Sequence, residues 1–535
     1  MSAVRRLDAA LGRISMYRLV LLALVLITVY AAALAFAGVL SFDGAAILGS
    51  AVVAMAATAA GTLLGGLVTK STPHLSSSLI TGLILALVLW PGFGQDLLAV
   101  AIAGFAAGIS KYLLAWRGRH IINPAVVGLL VVGLSGLSAS VWWVGSDVIA
   151  PVVALAGAVI VWRTRRALFA LSYLVPAVVL TTIGYLTAGT DVSDGLRFAI
   201  LVSPILFLGM FMLTEPLTSP PRRWQRMVVG ALVAVLSVLP LFVHVTFLTP
   251  ELALAVGNVL AFVWGMRGGV RLRFVGGQTH GDLLDLRFTA SAPLRMQPGQ
   301  YLEVDVPQAA RAAAQDPRGR RRVLSIASDP RSGEVRLITR MTSAPGAAPS
   351  PVKLAFANLQ PGDELPVTSV GGDFLLPDGG ANAGKVALIA AGVGITPFLS
   401  HLDAMVRGSL PIPADLVLVN AVRDVAQIVD LPGSEGVPAT PGGGVLGALP
   451  ARAGLPTSIS IVLVVPPGSD VSAVPVGWRV IEGETLSAAV LAAAVPDLVE
   501  REVLVSGSPL AVEAVRAHAR EAGVKHVHTD AFLGY

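Results

Sequence analysis

KVALIAAGVGITPFLSHLDAMV (385–406) runs an unbroken apolar stretch into a Gly-Val-Gly turn and then into a helical pattern. A continuous apolar run that ends on glycine predicts a strand buried on both faces. The following helix would start where a helix N-terminus can face a pyrophosphate, with glycine letting phosphate approach the backbone N–H groups. Gly392, Gly394, Thr396 and Pro397 occupy that turn. A Gly-x-Gly also serves as a plain tight turn, so its meaning depends on its surroundings.

The surroundings repeat the pattern. ADLVLVNAVRD (414–424), SISIVLVVPP (458–467) and EVLVSGSPLAVEAVRAHAREAG (502–523) are further apolar strands, the last followed by a helix. Strands alternating with helices predict a parallel, doubly wound sheet from about residue 382 to 535. The residues before it read differently. RLRFVGG, LLDLRFTA, QYLEVDVP, RRVLSIAS and GEVRLITRM, between 271 and 341, alternate apolar and polar positions with Gly or Pro between them. Ser350 and Pro351 open one short helix as N-cap and first-turn proline. Many short strands and one capped helix predict a small antiparallel barrel over 269–381.

The first half belongs to another class. The chain has 535 residues, of which only 13% are charged, about half the usual share, and its mean hydropathy is +0.75. The apolar excess lies in ten segments, near 17–38, 46–68, 79–91, 96–115, 123–138, 148–162, 167–187, 198–214, 227–246 and 252–266. They predict a polytopic α-helical bundle over 1–268, embedded in a lipid bilayer. The first segment lacks a small-residue cleavage site and reads as an anchor.

Fifteen Lys or Arg residues, from Arg5 to Arg273, fall in loops on one side of such a bundle, and only Arg197 falls on the other. That asymmetry predicts a cytoplasmic N-terminus. An even number of spans then returns the second half to the cytoplasm. Placed this way, the net charge of +5 marks topology and not a nucleic-acid surface. The chain has no cysteine, which excludes disulfides, thiolate metal sites and a Cys nucleophile, and no metal site is expected.

LSSSLITGLILALVLWPG (75–92) and IINPAVVGLL (121–130) are short and interrupted, as are helices that open backbone groups to a ligand at membrane depth. Helices that simply start late give the same pattern. Glu215 ends the eighth segment beside Thr214, Thr218 and Ser219; it reads as a functional carboxylate or as an interfacial one paired with Arg222 or Arg223. These stretches, with Asn123-Pro124-Ala125 and Thr214 to Pro220, resemble the flavin-carrying membrane subunits of the Rnf complex and of the sodium-pumping NADH:quinone reductase (Nqr). The resemblance implies ten spans and a flavin in the bundle. Those subunits link FMN to a threonine in a Ser-Gly-Ala-Thr-type motif. Here only Thr187-Ala188-Gly189-Thr190 comes near it, so covalent FMN is not carried over. Non-covalent FMN or riboflavin stays open.

In the second half, RRVLSIAS (321–328) resembles the Arg-x-Tyr-Ser flavin motif of the ferredoxin–NADP reductase family, and matching stretches follow in order. PGQYLEV (298–304) precedes it. LITRM (337–341), with Arg340, and Ser350 resemble further flavin contacts. GDFLL (372–376) resembles the closing strand of the barrel. GVGITPFLS (392–400), NAVRD (420–424) with Arg423, and VLVSGSPLAVEAV (503–515) resemble the nicotinamide-nucleotide motifs. HTDAFLGY (528–535) resembles the C-terminal aromatic ending.

The resemblance implies FAD and NAD(P)H as cofactors. It assigns Arg322 to the FAD pyrophosphate, Ser325 to the flavin near N5, and Ser350 to the phosphates. It further assigns Gly392, Gly394, Thr396 and Pro397 to the dinucleotide, Gly507 to the nicotinamide, and Phe532 or Tyr535 to the far face of the flavin. Two positions depart from it: Leu324 replaces the stacking Tyr, and Ser506 replaces the Cys beside the nicotinamide.

The function expected is therefore a membrane-bound, flavin-dependent NAD(P)H oxidoreductase. Its electrons would pass to a quinone, a membrane flavin, or another electron-transfer partner beyond the cytoplasm. A redox-driven Na⁺ or H⁺ pump is the alternative. A ferric reductase or NADPH oxidase needs pairs of histidines inside spans. Of eight histidines only His244 falls in one, with His74 and His120 in loops.

Overall fold

The computed structural model describes residues 16–69, 73, 75–116, 119–243, 248–265, 269–309, 320–342, 348–377, 384–432, 459–475 and 477–532. Lys70, His74, Arg117, His244, Arg267, Tyr535 and the arginines before residue 16 lie outside them. The chain divides into two compact units, 1–269 and 270–535.

The first unit is helical. Five helices are long and apolar enough to cross a membrane: Met16–Phe36, Gly44–Thr69, Gln95–Leu113, Ala167–Thr187 and Arg223–Val243. Val192–Val202 and Ile205–Met212 make a sixth if taken as one span bent by 48°. Pro204 stands at that break, and π-helical turns lie on both sides of it. The other four expected segments are the helices Leu75–Val88, Pro124–Leu134, Ala150–Arg163 and Pro250–Trp264. At 1.5 Å per residue each falls short of a hydrocarbon core about 30 Å thick.

Small residues set the packing within this unit. A Cβ on Gly61 would stand 2.4 Å from the Phe105 carbonyl oxygen, and one on Gly108 would stand 2.3 Å from the Thr58 carbonyl oxygen. Gly44–Thr69 and Gln95–Leu113 therefore meet backbone to backbone, as helices do where lipid removes the hydrophobic drive between them.

The second unit holds two six-stranded sheets. In the first, β1 (Val270–His280), β2 (Leu283–Ala290), β3 (Tyr301–Asp305), β4 (Arg321–Ser325), β5 (Glu334–Arg340) and β6 (Glu364–Gly371) pair antiparallel in the order β4-β3-β6-β1-β2-β5. Ile326, just past β4, bridges to Leu337 of β5 at the far end of that order. The strand expected at 372–376 is not one. β6 ends at Gly371, and Phe374 and Leu376 leave the sheet to pack in the core around Phe398. Their apolar character serves that core and not a strand pairing.

In the second sheet, β7 (Lys385–Ala391), β8 (Asp415–Ala421), β9 (Ile459–Val465), β10 (Arg479–Glu482), β11 (Glu502–Gly507) and β12 (Val527–Ala531) pair parallel in the order β10-β9-β8-β7-β11-β12. β7 is central, and Val386 to Ala390 are fully buried. Val386, Leu388 and Ala390 pack with Phe398, Leu399 and Leu402 of the helix Thr396–Val406. Ala387 and Ile389 pack on the opposite face with Leu491 and Val515, from the helices Ala488–Ala494 and Pro509–Glu521. Two covered faces are why this strand carries no alternation. The sequence pattern does not reveal β10 and β12, which are short edge strands with polar positions.

Candidate functional site

The chain runs from β7 through β8 and β9 to β10 on one side, then returns to place β11 and β12 on the other. The order therefore reverses between β7 and β11, the switch point at which a parallel sheet of this kind leaves a crevice at the carboxyl ends of its strands. Gly392 follows β7 and Gly507 ends β11, so the two glycine positions flank that crevice.

Both sides are built without room for side chains. Gly392 has φ +58°, a left-handed conformation that glycine adopts without strain. A Cβ on Gly394 would stand 2.2 Å from the Ser506 carbonyl oxygen, and one on Gly507 2.9 Å from the Ala391 Cβ. Thr396 is buried, with Oγ1 donating to the Val393 carbonyl at 3.0 Å, and Pro397 opens the helix behind the turn.

Polar atoms are stranded beneath this turn. Asn420 of β8 and Ser506 of β11 both pair in register with Ala390 of β7, so the two side chains share one face with only a methyl between them. Both residues are buried, and among the described residues Asn420 Oδ1 and Ser506 Oγ have no hydrogen-bond partner. A buried polar atom without a partner calls for a water or a ligand group. With the glycine cradle, this donor and acceptor chemistry fits a dinucleotide. Neither orphaned atom is legible in the sequence, because the strand order puts them together.

The stretch that resembles a flavin motif lies on β4. Arg322 is buried and donates from Nη1 to the Arg321 carbonyl at 2.7 Å. Leu324 is half-buried opposite Leu302, and Ser325 is opposite Tyr301. Among the described residues nothing hydrogen-bonds to the Ser325 hydroxyl, which leaves it able to donate to a ligand. The Tyr301 ring lies against Gly371 and Gly372, where a Cβ would stand 2.9 Å and 3.1 Å from it. Tyr301 is thus an aromatic neighbour of Ser325 that the motif comparison does not single out. Just beyond β4, the Ser328 carbonyl accepts from Ser400 Oγ at 2.7 Å, tying that strand to the helix Thr396–Val406.

Ser350 caps Pro351–Ala357, accepting from the Lys353 N–H at 3.4 Å. The helix has only seven residues, and the cap already uses the hydroxyl. Arg423 is exposed after β8, with its N–H donating to Gln427 Oε1 at 3.3 Å. Phe532 is half-buried beside the crevice, and its N–H donates to the Gly507 carbonyl at 2.9 Å. Arg340, at the end of β5, reaches the Gly392 turn and not β4: its Nη2 lies 2.6 Å from where a Gly392 Cβ would stand. Among the described residues no group of three His, Asp or Glu side chains is placed to hold a metal ion.

His401 backs the site from the helix Thr396–Val406 and is fully buried beside Phe374 and Phe398. Burial pushes its pKa down to about 4. The carbonyls of Pro298 and Phe374 oppose that shift, yet neither ring nitrogen meets a partner in hydrogen-bond geometry. The folded chain thus keeps the ring neutral, while the unfolded chain protonates it near pH 6.5. This contribution to stability is complete above about pH 6.5 and falls by about 3 kcal/mol as pH drops towards 4. Thermal unfolding followed from about pH 7 to about pH 4.5 should show a shallower decline in His401→Leu than in wild type. Parallel declines would sink this assignment.

In the helical unit the structure joins two of the flagged stretches. Asn123 donates from Nδ2 to Glu215 Oε2 at 2.8 Å, and Thr218 Oγ1 donates to the same oxygen at 3.1 Å. The Asn123 N–H donates to Asn258 Oδ1 at 2.9 Å, and Asn123 Oδ1 caps Pro124–Leu134 by accepting from the Ala125 N–H. Arg166 donates to the Thr214 carbonyl and to Ser219 Oγ. The sequence reading does not single out Lys111, which is buried and donates to Ser77 and Ser78 of the short helix Leu75–Val88.

No protein-family model and no curated protein matches the chain. Among solved structures it is similar to a cytochrome P450 reductase from Amycolatopsis, at 21% identity over 49% of this chain and 69% of that one, with a TM-score of 0.36. It is also similar to a ferredoxin NADP⁺ reductase from Neisseria gonorrhoeae with bound FAD and NADP, at 14% identity over 49% and 98%, with a TM-score of 0.36. A flavohemoglobin from Malassezia yamatoensis with bound FAD and heme matches at 16% identity over 67% and 95%, with a TM-score of 0.38.

Proposed function

We propose that the chain is a membrane-bound NAD(P)H oxidoreductase. Residues 382–535 bind NAD(P)H, residues 269–381 bind FAD as a small barrel, and residues 1–268 carry electrons into the membrane. The observation that carries this reading is the crevice between β7 and β11. Its glycines exclude side chains, and Ser506 Oγ and Asn420 Oδ1 stand beneath it without partners among the described residues.

Bound FAD would supply hydride acceptance and one-electron release, chemistry that no side chain provides. The residues supply placement. Gly392, Gly394, Thr396 and Pro397 shape the turn that receives the dinucleotide. Gly507 leaves the nicotinamide room beside Ser506. Ser325 donates a hydrogen bond near the reacting nitrogen of the flavin ring. The Arg322 guanidinium is a planar fork suited to the FAD pyrophosphate. Ser350 serves the FAD phosphates less directly, as the cap that fixes its own short helix. Phe532, whose N–H donates to the Gly507 carbonyl, or Tyr535 would cover the far face of the flavin. Leu324, aliphatic where a stacking aromatic is expected, holds the ring by van der Waals contact alone.

The positive-inside asymmetry supports a cytoplasmic position for 269–535, where NAD(P)H is found. The Rnf- and Nqr-like stretches support onward transfer through non-covalent FMN or riboflavin to a quinone or another electron-transfer protein. The Glu215 carboxylate, held by Asn123 and Thr218, favours a second reading in which that transfer drives Na⁺ or H⁺ across the membrane. Proteoliposomes given NADH separate the two readings: an ion gradient that an ionophore collapses supports pumping, and no gradient removes it.

The test of the main reading is flavin extraction from the purified full-length protein, followed by anaerobic addition of NADH or NADPH. FAD at about one per chain, bleached by either nucleotide, is the expected result. A second flavin released on denaturation would support an internal flavin in the bundle. Protein without flavin would overturn the proposal.

A further inference from the structure

One face of the second sheet is apolar until its last row. Around Phe398, β7 contributes Val386, Leu388 and Ala390, β8 contributes Leu416 and Leu418, and β11 contributes Leu504. Ala327, two residues past Ser325, packs in the same core, so this face is turned towards the end of β4. One step further towards the carboxyl ends the face becomes polar, with Asn420 and Ser506 on either side of Ala390. Asn420 is 2% exposed and Ser506 0%. Among the described residues, Asn420 Oδ1 and Ser506 Oγ have no hydrogen-bond partner. Apolar side chains would complete this core without stranding a polar atom. The two polar ones therefore cost stability, as residues kept for a ligand do.

The spacing selects the ligand. Adjacent strands lie about 4.8 Å apart, so the Asn420 and Ser506 backbones stand roughly 10 Å apart across β7. Between them Ala390 contributes only a methyl, where Val386 and Leu388 fill the same row deeper in the sheet. A single water bridging two groups spans at most about 6 Å, whereas a primary amide hydrogen-bonded at both ends spans about 8 Å. Asn420 Oδ1 accepts, and Ser506 Oγ has a proton to donate. Their complement is a group with an N–H at one end and a carbonyl at the other. We propose that Asn420 reads the nicotinamide carboxamide: its Oδ1 accepts from the carboxamide nitrogen while Ser506 Oγ donates to the carboxamide oxygen. Asn420 is thus a positioning residue, fixing how the ring is turned over Ala390. The inference rests on the redox reading above and deepens it, by naming what selects the nicotinamide ring within that site.

The experiment uses full-length protein in detergent, with FAD content measured first. Anaerobic bleaching of the flavin is followed at rising concentrations of NADH, or of NADPH where that is the better donor. The same is done with the reduced 3-acetylpyridine analogue of that nucleotide, which keeps the carbonyl but has a methyl in place of the amide nitrogen. Wild type should need about ten-fold or more of the analogue for half-saturation, since the analogue leaves a buried acceptor unpaired. Asn420→Leu should abolish that discrimination: half-saturation by the natural nucleotide rises about ten-fold, the analogue is unaffected, and the ratio falls to about one. The unfolding midpoint of this variant should not fall, since among the described residues Oδ1 bonds to nothing. Ser506→Ala should weaken both nucleotides about equally, because both carry the carbonyl, and it carries the test if Asn420→Leu does not fold. Asn420→Leu protein that weakens both nucleotides alike, or neither, overturns the proposal, as does Ser506→Ala protein with unchanged half-saturation. Wild type that holds FAD and uses both nucleotides equally well also overturns it, and leaves the redox reading standing. Wild type without flavin, or with flavin that neither NADH nor NADPH bleaches, overturns the redox reading and this proposal with it.

Discussion

Replacing Gly394 with alanine should abolish NAD(P)H oxidation while leaving FAD in place. The new Cβ would stand 2.2 Å from the Ser506 carbonyl oxygen, 2.5 Å from its carbon and 2.7 Å from the Gly507 Cα. All three are backbone atoms of a strand buried in the middle of a sheet, so no rotamer change relieves the clash. The turn has to lift away from β11, which separates the two sides of the crevice. Forcing a methyl into a packed site costs about 1–3 kcal/mol of stability, which a unit this size can absorb. Binding suffers more, because the N–H groups proposed to face phosphate and the space proposed for the nicotinamide would lose their common frame. Turnover with a soluble acceptor such as ferricyanide should fall about 100-fold or more, as expected for displacement of about an ångström at a reacting centre. Gly384→Ala is the control: its Cβ meets nothing within 4 Å, and turnover should stay at the wild-type level. Gly394→Ala protein with normal turnover and normal KM would remove the crevice as the dinucleotide site.

The turn that this substitution tests was legible in the sequence because it is local. A buried strand, a glycine pair and a proline-led helix follow one another within 22 residues, and each announces the next. The Ser350 cap was legible for the same reason. What escaped depends on strand order. Asn420 and Ser506 meet across Ala390 only because β8 and β11 flank β7. Arg340 joins Gly392 only because the end of β5 meets that turn. Asn123 and Glu215, 92 residues apart, were each conspicuous, but nothing in either stretch says that the amide holds the carboxylate. Apolar runs also placed four short helices beside the longer ones without telling them apart, and overran only one of them clearly, 123–138 against Pro124–Leu134, because apolar character marks burial and does not distinguish a short helix inside a bundle from a full span.

Truncating Asp285 to alanine should destabilise the 270–535 unit by several times the cost of an ordinary surface change. Asp285 on β2 takes three contacts from Arg336 on β5: Nε at 3.0 Å and 3.1 Å, and Nη2 at 2.5 Å. The side chains are 3% and 5% exposed, so neither charge is left to water. Arg336 also donates from Nη1 to the Asp430 carbonyl at 2.8 Å, and its N–H donates to Ser328 Oγ at 3.0 Å, just beyond β4. Removing the carboxylate leaves a buried guanidinium with one carbonyl for company, a loss of about 3–5 kcal/mol. The attraction between the two charges is not the source of that figure, since taking both out of water costs nearly as much as their pairing returns. The double variant Asp285→Leu with Arg336→Met should therefore recover most of the stability lost by Asp285→Ala, as read from denaturant unfolding of the full-length protein. The cycle of single and double variants isolates the coupling. If the double variant instead unfolds as readily as Asp285→Ala, the pair is stabilising in its own right. The first sheet would then depend on a charged clamp, and the bonds from Arg336 towards Asp430 and Ser328 would be what fixes the end of β4 against the second sheet.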